Sequence, residues 1–372
     1  MTTPRYAAAD LVRFTRVLLE HAGLDTDKAL AVADILVEGD LLGHDTHGLQ
    51  LLPAYLNELQ TGCMRKSGAP RVLRDRPAAI TWDAQRLPGP WIVLQAIEEA
   101  MPRARALGTC SVAISRSHHI ACLAAYLKRV TDEGLAILLT SSDPNNTAVA
   151  PHGGMRGVYT PNPIAAGWPT GGDPILIDVS SSITTNGMTI RLRDQGRKFP
   201  GQWVIDAQGN PSDDPLVMQQ EPRGALLPVG GVEYGHKGYA LGLLVEMLSG
   251  SLAGHGRADP QIGWSANVFL EIFDPAAFAG YHDFVRQSAF LAATCRNTPP
   301  RPGFDKVRLP GERALARRAE QLASGVALHA DIMPALSPWA EKLGVTTERS
   351  HAGLKESCGP PHPKNPCIPR SG

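Results

Sequence analysis

The chain has 372 residues, with 36 basic and 36 acidic side chains that cancel to a formal net charge of zero. This balance offers no long-range attraction for nucleic acid or an anionic membrane, so we expect a small-molecule partner. A hydrophobic fraction of 43% is ordinary for a globular enzyme. We find no apolar run long enough to span a bilayer and no signal-peptide core, so we expect a cytoplasmic protein with six reduced cysteines.

Apolar residues at helical spacing dominate the first sixty residues. The pattern predicts a helix over Ala8–His21, a second from near Asp25, and a third over Leu49–Leu59. The polar segment Gly43–Gly48 separates the last two helices.

The middle of the chain has short β-like runs between glycine- and proline-rich turns. These predicted strands are Cys110–Ile114, Leu135–Thr140, Ile175–Val179 and Trp203–Ile205. A helix over about Ala121–Glu133 lies between the first two. Later elements are a helix over Gly238–Ser251, a strand over Asn267–Phe273, a helix over Pro275–Ala293 and two helices within Pro310–Val345.

The densest cluster of reactive side chains lies in Gly43–Gly48. His44, Asp45 and His47 indicate either acid–base chemistry or a metal site, although neither an HExxH pattern nor a later Cys/His pair completes a ligand set. Asp45 or Thr46 is also a suitable N-cap for the following helix. Such a cap would position His47, whose imidazole titrates near neutral pH.

Three further features carry chemistry. His118 and His119 follow a predicted strand, where catalytic and purely structural roles are about equally expected. Asp178 ends an apolar run and needs a cationic or hydrogen-bonding partner if it is buried; we expect a histidine. Lys237 lies between glycines, which suits a phosphate or carboxylate contact but is also typical of an exposed loop. The Rossmann glycine fingerprint, the P-loop and the GxSxG elbow are absent.

Taken in chain order, seven segments between residues 6 and 346 resemble the malate/L-lactate dehydrogenase family of the second type. The family also includes ureidoglycolate, sulfolactate and 2,3-diketogulonate oxidoreductases and Δ1-piperideine-2-carboxylate/Δ1-pyrroline-2-carboxylate reductases. The segments are Asp45–Gly48, Ser117–His119, Ala150–Gly154, Thr160–Ala165, Asp178–Ser182, Lys237–Leu241 and Pro310–Glu312.

The resemblance implies a mixed α/β, non-Rossmann NAD(P)-binding fold, with a largely antiparallel sheet flanked by helices and with helical N- and C-terminal parts. It implies a homodimer with cofactor and substrate in a cleft between domains. We expect residues 1–110 to form a helical substrate and dimer domain to which residues 240–346 return. Residues 111–239 would bind NAD(P), and the proline-rich residues 351–372 would form a disordered tail.

By the same resemblance, the protein reduces a small 2-oxo or cyclic 2-imino acid with NADH or NADPH. His47 would donate the proton, with Thr46 replacing the usual serine beside it. Asp178 would orient a site histidine, and His119 is a second acid–base candidate. The expected cofactor contacts are Ser142, His152, Thr160, Asn162, Pro163, Ile177, Asp178, Val179, Ser180, Lys237, Gly311, Glu312 and Arg313.

One departure concerns the substrate carboxylate. Many family members carry an arginine where this chain has Leu51, and Leu42 also replaces a frequent arginine. An aliphatic side chain cannot pair with a carboxylate, so the pocket favours a cyclic imino acid or a hydrophobic 2-oxo acid over malate. The substrate-binding candidates are Tyr55, Leu51, His44 and Arg116, with His118 a further possible carboxylate anchor.

Two other functions stay open at this point. One is a metal-dependent hydrolase or lyase that uses His44, Asp45 and His47. The other is a catalytically inactive relative that acts as a binding or structural dimer.

Overall fold

The computed structural model describes residues 4–345. The tail expected at residues 351–372 lies outside this range. The helices are α1 Ala8–His21, α2 Thr26–Leu42, α3 Leu52–Gln60, α4 Gly89–Leu107, α5 Ala124–Thr131, α6 Asn186–Asp194, α7 Gly231–Glu246, α8 Tyr281–Asn297, α9 Glu312–Ser324 and α10 Ile332–Lys342. No helix among these described residues is both long and apolar enough to cross a bilayer.

The strands form one large sheet and two small ones. They are β1 Arg5–Tyr6, β2 Arg71–Arg76, β3 Ala79–Asp83, β4 Thr109–Ser117, β5 Ala136–Ser142, β6 Pro163–Trp168, β7 Ile175–Ser180, β8 Val204–Ile205, β9 Pro211–Ser212, β10 Ala225–Leu226, β11 Ala266–Phe273 and β12 Val326–Ala327. The large sheet has the order β2-β3-β4-β11-β5-β6-β7, β10-β8-β9 forms a second sheet, and β1 pairs with β12.

The large sheet is mixed. Only the β3–β4 pair is parallel, and its other neighbouring strands run antiparallel. Helices pack against it, with α4 on β4 and β11 and α5 on β6. The expectation of a mixed α/β fold with a largely antiparallel sheet flanked by helices is therefore confirmed.

Strand β11 lies in the interior of the large sheet. Leu270 stands opposite Val112 of β4 and Leu139 of β5, and all three side chains are fully buried. The one acidic residue of the strand, Glu271, accepts hydrogen bonds from the hydroxyls of Thr109 and Ser111 at 2.5 and 2.6 Å. A nearly continuous apolar run therefore pairs with two strands that lie well over one hundred residues earlier in the chain.

Local sequence patterns located many of these elements. Helix α1 has the predicted bounds, but the helix predicted from Ala121 begins only at Ala124, since Ala121 adopts a positive φ of 59°. Sequence analysis assigned no element to residues 61–109, which contain β2, β3 and α4. The sheet also takes strands from both sides of the expected boundaries at 110/111 and 239/240, and the domain division stays a prediction.

Candidate active site

Several separate chain segments surround a cleft of about 660 Å³. Residues 43–47 follow α2, residues 119–123 connect β4 to α5, and residues 264–266 lead into β11. The start of β6, the end of β7 and helix α6 complete the walls. Nine of the residues predicted for the site line this cleft: His44, Thr46, His47, Leu51, His119, Thr160, Pro163, Asp178 and Ser180.

His47 is held beside the cleft by its neighbour. The Thr46 hydroxyl lies 2.9 Å from Nδ1 of His47, which leaves Nε2 as the ring nitrogen available to a ligand. Burial, followed by the nearby His44, lowers the pKa of His47 to about 4. This pKa lies below the neutral range expected from the sequence, because a buried imidazole is stabilised in its neutral form.

His119 is fixed more tightly. The backbone N–H of Ala121 donates to Nδ1 of His119 at 3.2 Å, so the neutral ring carries its proton on Nε2. The Tyr55 hydroxyl lies 3.0 Å from the same nitrogen and donates to the His119 carbonyl at 2.9 Å. The Trp264 ring stacks on His119 at 4.4 Å between centroids, and the His47 ring lies 6.0 Å away. Burial lowers the pKa of His119 well below its ordinary value.

Tyr55 contacts His119 and does not line the cleft. Its side chain is fully buried and is not among the residues that line the cleft. The predicted direct contact between Tyr55 and substrate therefore has no support from its position, whereas its hydroxyl contacts the carbonyl oxygen and Nδ1 of His119 and helps to hold that imidazole.

Arg116 and His118, two candidate anchors for the substrate carboxylate, pair with acidic side chains and do not line the cleft. The Arg116 guanidinium pairs with Asp83, with Nε at 2.9 Å from Oδ1. His118 is fully buried, and its Nε2 lies 3.1 Å from a carboxylate oxygen of Glu58. Neither side chain lines the cleft, and each has a carboxylate partner within the protein.

Asp178 meets one of the histidines near the cleft. Its Oδ2 accepts the backbone N–H of Ala124 at 2.9 Å, at the start of α5, and the Cys122 thiol lies 3.8 Å away. Burial raises the pKa of Asp178, and the charge of His44 opposes this shift. The histidine that acts on Asp178 is thus His44, and an orienting role toward His47 or His119 stays a prediction.

The loop that carries His47 is held by a residue that sequence analysis missed. Asp40 of α2 is buried, and its Oδ2 accepts the backbone N–H of Leu49 at 2.8 Å. Gly48 lies so close that an added Cβ would come within 2.2 Å of Asp40 Oδ1. A carboxylate within the apolar run of α2 was the available signal, because such a group needs a partner when it is buried.

The predicted N-caps are wrong. Neither Asp45 nor Thr46 caps the helical turn at Leu49, which is preceded by Gly48 without a side-chain cap. Thr46 bonds to His47 instead, and Asp45 lies 3.4 Å from the guanidinium of Arg317. The capping acceptor is supplied by Asp40, nine residues before Leu49.

Several expected cofactor residues lie outside the cleft lining: Ser142, His152, Asn162, Ile177, Val179, Lys237, Gly311, Glu312 and Arg313. Ser142 and Asn162 both donate to Glu246 of α7, at 2.7 and 2.9 Å. Lys237 lies over the ring of Tyr234, also on α7. Glu312 begins α9 and accepts the N–H of Leu309 at 3.0 Å.

Arg191 of α6 was not predicted, yet it lines the cleft. Among the lining residues it is the one side chain with a permanent positive charge. Its Nη2 donates to Gln50 Oε1 at 2.9 Å, next to Leu51. Arg193 follows two residues later in α6, so sequence alone could not distinguish Arg191 from a solvated surface residue.

Comparison with known proteins gives consistent matches. Residues 6–337 match a family model described as malate/L-lactate dehydrogenase. An L-lactate dehydrogenase of Cupriavidus necator is 34% identical over 86% of this chain and 90% of its own. A (2R)-3-sulfolactate dehydrogenase (NADP(+)) of Chromohalobacter salexigens is 32% identical over 82% and 88%. The crystal structure of a Δ1-piperideine-2-carboxylate reductase from Pseudomonas syringae pvar. tomato is 28% identical, with a TM-score of 0.81, over 91% of this chain and 100% of that one.

The geometry around Asp40 predicts a pH effect on stability. Burial raises the pKa of Asp40 to about 7, whereas a carboxyl in the unfolded chain ionises near 3.8. Between these values the folded state binds more protons, so the free energy of unfolding falls as pH rises. Asp40→Asn keeps an acceptor for Leu49 and cannot ionise. From about pH 5.5 to about pH 8, we expect the wild type to lose roughly 2 kcal/mol relative to this variant in urea unfolding.

Asp40→Ala is the matched comparison, since it removes the acceptor for the Leu49 N–H. It should be less stable than Asp40→Asn at both pH values, by about 1–3 kcal/mol for the unpaired buried N–H. A wild-type-to-Asn difference that stays constant with pH would contradict the buried carboxyl as the titrating group.

Proposed function

This chain belongs to the malate/L-lactate dehydrogenase family, and we propose that it reduces a small 2-oxo or cyclic 2-imino acid with NADH or NADPH. The observation that carries the proposal is the pair of half-buried imidazoles, His47 and His119, that line one cleft. The metal-dependent hydrolase or lyase is the weaker alternative, because the relatives are named as dehydrogenases and a reductase and Asp45 pairs with Arg317.

The residues around the cleft fit a nicotinamide cofactor. Hydroxyl groups of Thr160 and Ser180 line the cleft beside the apolar Pro163, which suits an amide-bearing ring and a ribose. Next to them, Asn162 Oδ1 is buried and has no hydrogen-bond partner within the described residues, so it suits a donor such as a carboxamide. The cofactor would exchange a hydride with C2 of the substrate. The absence of the Rossmann fingerprint supports a non-Rossmann binding mode.

His47 would manage the proton at the substrate heteroatom through Nε2. In the reducing direction its imidazolium donates this proton, and in the oxidising direction its neutral ring accepts it. Such general acid–base catalysis contributes roughly 10²–10⁴-fold to a rate. A substrate carboxylate inside the cleft would raise the pKa of His47, because an opposite charge nearby stabilises the imidazolium.

We also propose that Arg191 anchors the substrate carboxylate. It supplies the permanent positive charge of the cleft wall, while Arg116 and His118 are engaged by acidic partners elsewhere. Leu51 lines the same cleft and adds an apolar surface. This combination favours a substrate with one carboxylate and an apolar remainder.

A homodimer is supported by exposed apolar helix faces. In α8 only Ala292 is buried, while Phe290 and Leu291 are 70% and 60% exposed. Helix α7 likewise exposes Leu243 and Leu244. Exposed large apolar side chains of this kind are typical of interfaces in soluble proteins, and a second copy of the chain is the partner we propose.

The protonation of His47 predicts different pH profiles for the two directions. Oxidation of a hydroxy acid needs the neutral ring, so kcat/KM should be level between about pH 6 and 8. Reduction needs the imidazolium, whose fraction falls about tenfold per pH unit above the pKa, so kcat/KM should fall with pH across this range. The measurement is cofactor absorbance in both directions with saturating cofactor.

Two variants test the assignment. His47→Gln should lower kcat by roughly 10²–10⁴-fold in both directions. His44→Asn removes the charge that lowers the pKa of His47, so the reductive profile should move to higher pH. A reductive profile that is level from about pH 6 to 8 would argue that His47 is not the acid.

Arg191→Gln should raise KM for the 2-oxo acid by roughly 10–100-fold with a smaller change in kcat, because a charged hydrogen bond contributes about 1.5–3 kcal/mol. Arg193→Gln, on the same helix, is the matched control and should leave KM unchanged. Adding Leu51→Arg to Arg191→Gln should restore binding if both positions reach one carboxylate. An unchanged KM in Arg191→Gln would reject this anchor.

Sedimentation equilibrium should give twice the 39.8 kDa mass of one chain. Leu291→Glu places a charge on the exposed face of α8 and should shift the protein toward monomer. Leu322→Glu, at an exposed leucine of α9, is the control and should remain dimeric. A wild type that sediments as a monomer would overturn the assembly.

A further inference from the structure

Three side chains with metal-binding atoms meet in the cleft wall. His44 comes from the loop after α2, Cys122 from the turn before α5, and Asp178 from β7. One ligand atom of each lies within 4.8 Å of the others. They differ from the metal set considered from sequence, since Asp45 is paired with Arg317 and only His44 is common to both sets.

The donor types match zinc. A histidine nitrogen, a cysteine sulfur and a carboxylate oxygen are all ordinary zinc ligands, and three protein ligands leave a fourth position open. Two such ligands on a tetrahedral ion lie about 3.5 Å apart, given bond lengths near 2.0 and 2.3 Å. Cys122 Sγ and Asp178 Oδ2 are already 3.8 Å apart. His44 completes the set, with a ring nitrogen within 4.8 Å of the other two ligand atoms.

The hydrogen bonds that the three side chains already make would still allow them to coordinate an ion. Asp178 accepts the N–H of Ala124 with one lone pair of Oδ2, and a second lone pair of this oxygen remains for an ion. Within the described residues, the His44 imidazole receives no hydrogen bond and so does not have to break one. Coordination by Cys122 breaks its S–H bond and forms a Zn–S bond, with the proton released to water.

We propose that His44, Cys122 and Asp178 form a zinc site in the cleft wall, and that bound Zn²⁺ reversibly inhibits the enzyme. His44, Cys122 and Asp178 line the same cleft as His47, so the fourth ligand of a bound ion would come from that cleft. An ion there draws the substrate carboxylate or C2 oxygen toward itself and away from His47. The inhibition rests on the proposed function, but the binding does not.

Binding is tested on the full chain with Cys358→Ser and Cys367→Ser, because tail thiols also bind zinc. Zinc competition against a chromogenic chelator should give one equivalent per chain. Cobalt(II) should give a thiolate-to-metal charge-transfer band. Cys122→Ala should lose this band and bind zinc at least about 100-fold more weakly. Cys63→Ala, a thiol outside the cleft, should retain both.

His44→Asn provides a second variant in case Cys122→Ala folds poorly. It should weaken zinc binding while keeping the thiolate band, since the sulfur ligand is intact. Equal zinc affinity and an unchanged cobalt band in Cys122→Ala would overturn the site. If the parent chain turns over, zinc should inhibit it and a chelator should restore the rate; zinc binding without inhibition would overturn the regulatory part alone. A chain that binds zinc without any turnover would instead count against the proposed function.

Discussion

The insertion of β11 between β4 and β5 is the constraint on which the cleft depends. Its pairing with both strands fixes where the segment before it, including Trp264, must lie. Trp264 then stacks on His119, which follows the end of β4. Asn267, at the start of the strand, accepts the backbone N–H of Arg116 at 3.1 Å and so ties it to the β4 end that carries the histidines. The pairing of β11 with β4, which lies far from it in sequence, thus sets the position of the Ser117–His119 motif.

Burial favours the neutral forms of the titratable groups around this cleft. The pKa values of His47 and His119 are lowered and those of Asp40 and Asp178 are raised, with burial the largest cause in each case. A cleft of this kind is sensitive to charge, because an arriving carboxylate is little screened by solvent. Under the proposed function, the substrate itself would take part in setting the protonation state of His47. Arg191, which is always charged, is the exception among the lining residues and would give an anionic substrate a fixed partner.

Sequence patterns located the parts of the fold and site that are encoded locally. Helix α1 was predicted with its bounds, and His47 and His119 were identified from short motifs that do line the cleft. Arg191 was missed because its role depends on packing between elements, and a guanidinium in a helix carries no local signal of that packing. Asp40 did carry a signal, a carboxylate within an apolar run, but the group that it bonds is set by packing. The Asp45 cap failed for the same reason, since the acceptor came from the preceding helix.

Leu51, which replaces a frequent family arginine, and Arg191 both line the cleft. The resemblance places an arginine at position 51, on the turn that leads into α3. In this chain the guanidinium of Arg191 reaches that turn from α6 and bonds to Gln50, the neighbour of Leu51. The positive charge is thus supplied to the same wall from another element, while Leu51 leaves an apolar surface where the family arginine would extend. Met188 and Ile190 of the same helix line the cleft beside Arg191, so under the proposed function they would contact the substrate beyond its carboxylate.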